Sequence, residues 1–288
     1  MTHTSVTRAR LDPSLGLGAQ AARTASSADD DNAGMTDLVQ RLRAAGSVFA
    51  EEEAALLIGT STDAAALERL VVRRLAGEPL EHVLGWAEVA GVRVRVAPGV
   101  FVPRQRTALL VDLAVAAAPR GATVVDLCCG SGALLAAVRH RRPDVVGHAA
   151  DIDPHAVACA RTNLPHDAVH EGDLYDALPA GLRGRVDVLV VNAPYVPTAE
   201  VAHLPPEARL HEPLLALDGG PDGLDVHRRV ARDATGWLAP GGTLLVEVAQ
   251  DQLATALGLL AEAGLTAQPV ADDEHGALAV RAVPRDVA

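Results

Sequence analysis

Apolar positions along this chain follow two rhythms. Between residues 36 and 76 they recur at helical spacing, as at Leu38, Leu42 and Ala45 and again at Ala54, Leu57 and Ile58. Glu51, Glu52 and Glu53 read as a solvated first helical turn, favoured by the helix dipole. From 89 to 102, Val and Arg alternate around Gly91 and Pro98-Gly99, which predicts a β-hairpin. Beyond it, short apolar runs take turns with helical patterns. Strands are predicted at 123–129, 145–150, 168–171, 186–191, 244–248 and 276–283, and helices at 109–118, 133–142 and 251–264, with helix-compatible residues after Pro154. Strands alternating with helices predict an α/β fold, a Rossmann-like sheet with helices on both faces. The polar residues 1–34, with Asp29-Asp30-Asp31 and no apolar core, predict a disordered extension. Residues 35–84 then form a small helical lobe, 85–105 a hairpin linker, and 106–288 the main domain.

The chemistry-bearing residues fall where the predicted strands end. The first strand carries Asp126 and runs into Gly130-Ser131-Gly132, a tight loop whose glycines let a backbone approach a ligand closely. It is neither the full dinucleotide fingerprint nor a phosphate-binding P-loop. The second strand ends in Asp151-Ile152-Asp153-Pro154. Asp151 stands 19 residues after Gly132, where an acid reaches ribose hydroxyls. The third ends in Gly172-Asp173-Leu174. Ligands of open α/β sheets sit at these carboxyl ends. A cap on the glycine turn is the other role open to Asp126, and Asp153 before Pro154 reads as a helix N-cap.

The 186–191 strand ends in Asn192-Ala193-Pro194-Tyr195. An Asn side-chain oxygen and a neighbouring backbone carbonyl can each accept one N–H from a planar amide or amine. The nitrogen lone pair is then aimed at an electrophile, and an aromatic ring can cover the flat face. A plain Asn-x-Pro turn would leave the same letters.

Composition narrows the picture. A length of 288 residues suits one large α/β domain with an appendage. The net charge of −12 and pI near 5.3 argue against broad electrostatic capture of nucleic acid. All 25 cationic side chains are arginine, a usage that points to genomic base composition. Cys128, Cys129 and Cys159 form no disulfide or zinc pattern, and the adjacent pair reads as buried small apolar residues. His203 and His211 read as surface or groove residues, so no metal is expected. No run reaches the ~18 apolar residues of a membrane span. A cytoplasmic protein is the expectation.

Further segments make the pattern more specific: Gly77-Glu78-Pro79-Leu80, Pro98-Gly99-Val100-Phe101-Val102-Pro103-Arg104, Glu212-Pro213-Leu214, Gly219 to Leu224 and Ala239-Pro240-Gly241-Gly242. In this order, with the glycine loop and Asn192-Ala193-Pro194-Tyr195, they resemble the HemK/PrmC family. Its members are class I S-adenosylmethionine-dependent methyltransferases that modify a glutamine N(5) in peptide chain release factors. The resemblance implies that cofactor, with S-adenosylhomocysteine as product. Gly130 and Gly132 would surround its methionine part, Asp126 would meet its ammonium end, Asp151 the ribose, and Asp173 and Leu174 the adenine, with Ser131, Ile152 and Asn192 also among the cofactor-binding residues. Asn192 and the Ala193 carbonyl would hold the substrate amide, completed by Pro194 and Tyr195. Arg104 either binds substrate or pairs with a local acid, and Glu212 stabilises the loop after the Asn motif. The helical lobe would help engage the protein substrate. Met35 opens a stretch similar to a family amino terminus.

Departures from the family pattern are few and local. Ala193 replaces a proline, Cys128 replaces a glycine, and Gln105-Arg106-Thr107-Ala108 stands where Pro-Glu/Asp-Thr-Glu is common. Two acids are lost and a cation is gained near the expected active-site mouth, and the lobe is shorter than the family norm. Two rival functions use the same residues. One is a nucleic-acid methyltransferase acting on an exocyclic amine, with a flipped base on Tyr195. The other is a cofactor-binding module without catalysis. The acidic charge and Gly77-Glu78-Pro79-Leu80 favour a protein substrate, and retention of Asn192 and Tyr195 favours catalysis.

Overall fold

The computed structural model describes residues 34–285, so the extension predicted over residues 1–34 lies outside the described residues but for its last position. The chain divides into two compact units, one ending at Val71 and one beginning at Val72.

The first unit holds helices α1 (34–44) and α2 (Ala50–Thr60) and most of α3 (Ala64–Leu75). Leu38, Leu42, Ala54 and Leu57 are buried, as their spacing predicts. Ala45 falls past the end of α1 and is exposed, and Ile58 is also exposed, so the apolar face is narrower than the letters suggest. Glu51 and Glu52 face solvent, but Glu53 does not. It shares a helix face with Ala50, Ala54 and Leu57, and goes in with them.

The second unit opens with a short helix α4 (Leu80–Leu84) and an antiparallel hairpin of β1 (Trp86–Val89) and β2 (Val92–Arg95). Helix α5 (Ala108–Ala117) follows, then β3 (Thr123–Leu127), α6 (Ala133–Arg141), β4 (Val146–Asp151) and α7 (Pro154–Asn163). The remaining elements are β5 (Val169–Glu171), β6 (Val186–Val191), α8 (Pro206–His211), α9 (Asp225–Trp237), β7 (Leu238–Glu247), α10 (Leu253–Glu262), β8 (Leu265–Asp272) and β9 (Ala277–Pro284). Asp153 caps α7 by accepting from the His155 N–H, with Pro154 at the first turn.

Strands β3 to β9 form one seven-stranded sheet in the order β5-β4-β3-β6-β7-β9-β8. The first five run parallel, while β9 is antiparallel to both of its neighbours. Strand β6 is buried on both faces, which is why it reads as a nearly unbroken apolar run. Val188 and Val190 pack with Leu245 against residues of α5, α6 and α7; Leu189 and Val191 pack with Leu244 and Val246 against α9 and α10. The Pro240-Gly241-Gly242 turn interrupts β7 rather than preceding it. Pairing to β6 jumps from Leu238 opposite Val186 to Thr243 opposite Val188. Among the described residues, no helix is long and apolar enough to cross a membrane.

Candidate active site

Chain order reverses at β3, which has β4 on one side and β6 on the other. Such a switch point opens a crevice beyond the strands' carboxyl ends. A cavity of about 590 Å³ lies there. Its wall brings together Asp126, Gly130 and Ser131 after β3, Asp151 and Ile152 after β4, Asp173 and Leu174 after β5, Asn192 to Tyr195 after β6, and Arg104. Gly132 stands apart from this set. A Cβ there would lie 2.7 Å from Leu164 Cδ1, so this glycine, with φ of 74°, lets α6 start close against the end of α7. Two residues other than glycine, Cys128 at φ 58° and Leu174 at φ 47°, hold the left-handed region on the cavity wall. Cys128 therefore holds a backbone conformation that glycine adopts without strain. Burial raises its thiol above the ordinary range and makes it a poor nucleophile.

Two acids approach the glycine turn. Asp126 is buried on β3 and accepts the Leu135 N–H of α6 at 3.2 Å, so it also caps that helix. Burial pushes its carboxyl up to about 7; Leu135 opposes that shift and the Asp151 charge adds to it. Asp151 accepts the Gly130 N–H at 2.8 Å and the Asp153 N–H at 2.9 Å. Burial raises it as well, against those two bonds. Buried acids crowded beside open volume suit a cationic ligand. Asp173, on the rim, is paired with Arg229 at 2.6 Å.

The clamp region is built by strand register. Val191 of β6 lies opposite Val246 of β7, so Asn192 and Glu247 come next to each other at the carboxyl ends of these strands. With a period of two, Asn192 continues the face of Val190, and Glu247 that of Leu245, the face covered by α5. The turn before α5 adds Arg106 and Thr107. Asn192 Nδ2 donates to Thr107 Oγ1 at 3.2 Å, and Thr107 Oγ1 donates to Glu247 Oε2 at 3.2 Å. Arg106 Nε donates to Glu247 Oε1 at 2.9 Å, its Nη2 donates to the Tyr195 oxygen, and the Tyr195 hydroxyl donates to Glu247 Oε1 at 3.2 Å. Burial first, then the Glu247 charge, pushes Tyr195 up to about 12, so the phenol keeps its proton.

Two braces hold the rim. Arg104 Nη2 contacts both oxygens of Glu212, at 2.6 and 2.8 Å, and Glu212 also accepts the Val102 N–H at 3.4 Å. Of the two roles open to Arg104, the structure displays the local ion pair. Behind the Asn motif, Gly219 donates its N–H to the Val196 carbonyl, and Gln252 Nε2 donates to the Tyr195 carbonyl at 2.7 Å. Sequence reasoning missed the roles of Thr107 and Glu247. A signal was present: Glu247 is an acid at a strand's carboxyl end, as Asp126 and Asp151 are.

Comparison with known proteins gives this geometry a lineage. Residues 91–204 match the family described as "Methyltransferase small domain". Release factor glutamine methyltransferase from Geobacter sulfurreducens is 39% identical over 216 residues, covering 74% of this chain and 75% of that relative. The protein of the same name from Bradyrhizobium diazoefficiens is 35% identical over 253 residues, covering 79% and 85%. In fold, the chain is similar to a methyltransferase from Pyrococcus furiosus, with a TM-score of 0.50, 14% identity, and coverage of 67% of this chain and 88% of that one. With that coverage and identity, the chain belongs to the release factor glutamine methyltransferase family.

Proposed function

We propose that this enzyme transfers a methyl group from S-adenosylmethionine to the side-chain amide nitrogen of a glutamine in a peptide chain release factor. The observation that carries the reading is the hydrogen bond from Asn192 Nδ2 to Thr107, which leaves the Asn192 oxygen for an acceptor in the cavity.

The cavity wall fits the cofactor. Ser131 Oγ is buried there without a hydrogen-bond partner, a polar atom that a ligand would satisfy. Asp151 spends one lone pair on each of two backbone N–H groups, and a carboxylate offers about four, so capacity remains for two ribose hydroxyls. Asp126 would face the cationic amino-acid end, while Ile152, Asp173 and Leu174 border the base. When bound, S-adenosylmethionine supplies an electrophilic methyl group on a sulfonium.

The protein's own task is orientation. Asn192 Oδ1 and the Ala193 carbonyl each accept one N–H of the glutamine amide, which turns its weak nucleophilic lone pair outward. Ala193 supplies that carbonyl as a proline would, because the contact is with backbone. Tyr195, kept as a phenol, covers the amide plane and excludes water. Incubating purified bacterial release factor with labelled cofactor and mapping the product by mass should place the label on a glutamine side chain. Asn192→Ala should lower turnover ~100-fold or more while sparing cofactor affinity. Label on any other residue type, or a variant working at the parent rate, removes the reading.

A further inference from the structure

Behind the clamp, hydrogen-bond polarity is fixed from one end. Glu247 closes β7 and is buried, at 4% exposure. Three donors converge on its carboxylate, from Arg106, Tyr195 and Thr107. A carboxylate only accepts, so the single Thr107 hydroxyl proton is committed to Glu247. The Thr107 oxygen is left with lone pairs alone to offer Asn192. Only the nitrogen end of the Asn192 amide can meet it. The oxygen end must turn to the other side, toward the cavity that Asn192 lines.

We propose that Glu247 and Thr107 are positioning residues. A buried carboxylate sets, through one hydroxyl, which end of the Asn192 amide faces the acceptor. An Asn side chain without such a relay can present either end, and the nitrogen end would repel the N–H donors of a substrate amide. The same carboxylate holds the Tyr195 hydroxyl, so the clamp and the ring that covers it share one anchor. This inference rests on the proposed reaction for the identity of the acceptor; the direction of the amide is independent of it.

Isosteric changes separate polarity from packing. Thr107→Val keeps shape and removes the relay. Glu247→Gln can keep its oxygen toward Arg106 and Tyr195 while aiming its NH2 at Thr107, which reverses the relay and drives the Thr107 proton toward Asn192. Both variants should lose about tenfold or more in kcat on release factor, with cofactor affinity unchanged. Thr107→Ser, which restores the hydroxyl, should recover most of the rate. The double variant should be no worse than the poorer single one, because both act through one chain. A second readout needs no turnover: the side-chain NH2 signals of Asn192 in a ¹⁵N-correlated spectrum, identified by their loss in Asn192→Asp. They should move in Thr107→Val and Glu247→Gln and stay near the parent position in Thr107→Ser. A parent enzyme that leaves release factor unmodified would defeat the substrate reading, and the spectrum would still decide the relay. Asn192 signals unmoved by Thr107→Val, or kcat retained in that variant, would overturn it.

Discussion

Asp126 shows how one residue couples the fold to the site. Its carboxyl is lifted to about 7, chiefly by burial, well above the ~3.9 of an unfolded chain. Between those values the native state holds a proton that the unfolded state has released, so the unfolded state binds fewer. The contribution of Asp126 to the stability of the ligand-free protein is therefore fullest below about pH 4 and declines as pH rises toward about 7. Binding of a cation should run the other way: it favours the ionised acid, releases a proton, and tightens from about pH 6 to about pH 8. Asp126→Asn should flatten both profiles, gaining stability in alkaline buffer while losing cofactor affinity there. Denaturant melts across that range, with calorimetry in two buffers of different ionisation enthalpy, would measure both. An Asn variant keeping the parent slope would take Asp126 out of the account. In the sequence, Asp126, Asp151 and Asn192 were legible because each lies in or just after a strong apolar run. Gly132 was legible as a loop glycine, but not as the spacer between α6 and Leu164, because that contact joins residues far apart along the chain. Glu247 offered only the signal of an acid at a strand's carboxyl end and Thr107 offered none, because their shared role comes from the register of β6 beside β7 and from the turn before α5 that meets it.

Elements differ in how openly their letters announce them. Strands β3 and β6 were plain because burial on both faces demands continuous apolar residues. Helix α9 escaped notice because its buried stripe is His227, Val230, Ala231, Ala234 and Trp237, a correct helical spacing with few large apolar side chains. Strand β8 carries Pro269 and mostly part-exposed residues, which argue against a strand unless it lies at an edge, as it does. The loop between α8 and α9 was visible through its glycines, and its purpose comes from what touches it. A Cβ on Gly223, at φ 77°, would sit 2.2 Å from the Tyr195 carbonyl oxygen and 2.3 Å from Gln252 Nε2. Gly223→Ala must therefore strain the backbone, or part the bonds from Gln252 to Tyr195 and Asp222. We expect a loss of about 2–4 kcal/mol, from left-handed strain and displaced hydrogen bonds together, with reduced turnover because the Asn motif shifts. Gly258 in α10 is the control, since a methyl group added there would meet nothing within 4 Å. Gly258→Ala should gain about 0.5–1 kcal/mol through helix propensity. Chemical denaturation of both variants tests the contrast, and equal effects would show that the loop does not brace the site.

At the scale of the whole molecule, charge decides which partners can be held. The chain carries 37 acidic and 25 basic side chains, a net of −12. Nucleic acid would thus meet repulsion at long range, and it would need a local basic track to overcome it. The cavity does not supply one. Three arginines stand on its wall, and each is already committed to a carboxylate: Arg104 to Glu212, Arg106 to Glu247 and Arg229 to Asp173. A phosphate entering there would have to displace a partner from a guanidinium, in two of the three cases a carboxylate that is itself buried. Losing that partner would leave a buried charge unpaired, which costs more than a phosphate contact at the rim returns. A glutamine amide asks for none of this, since it is neutral and, in the proposed clamp, would be met by a side-chain oxygen and a backbone carbonyl. Gel-shift titrations near physiological ionic strength should accordingly give no retardation of duplex or single-stranded DNA or RNA at micromolar protein. Binding that appeared, and that weakened steeply with added salt, would mean phosphates were being neutralised. That outcome would turn the exocyclic-amine reading of Asn192 and Tyr195 from a rival into the leading account.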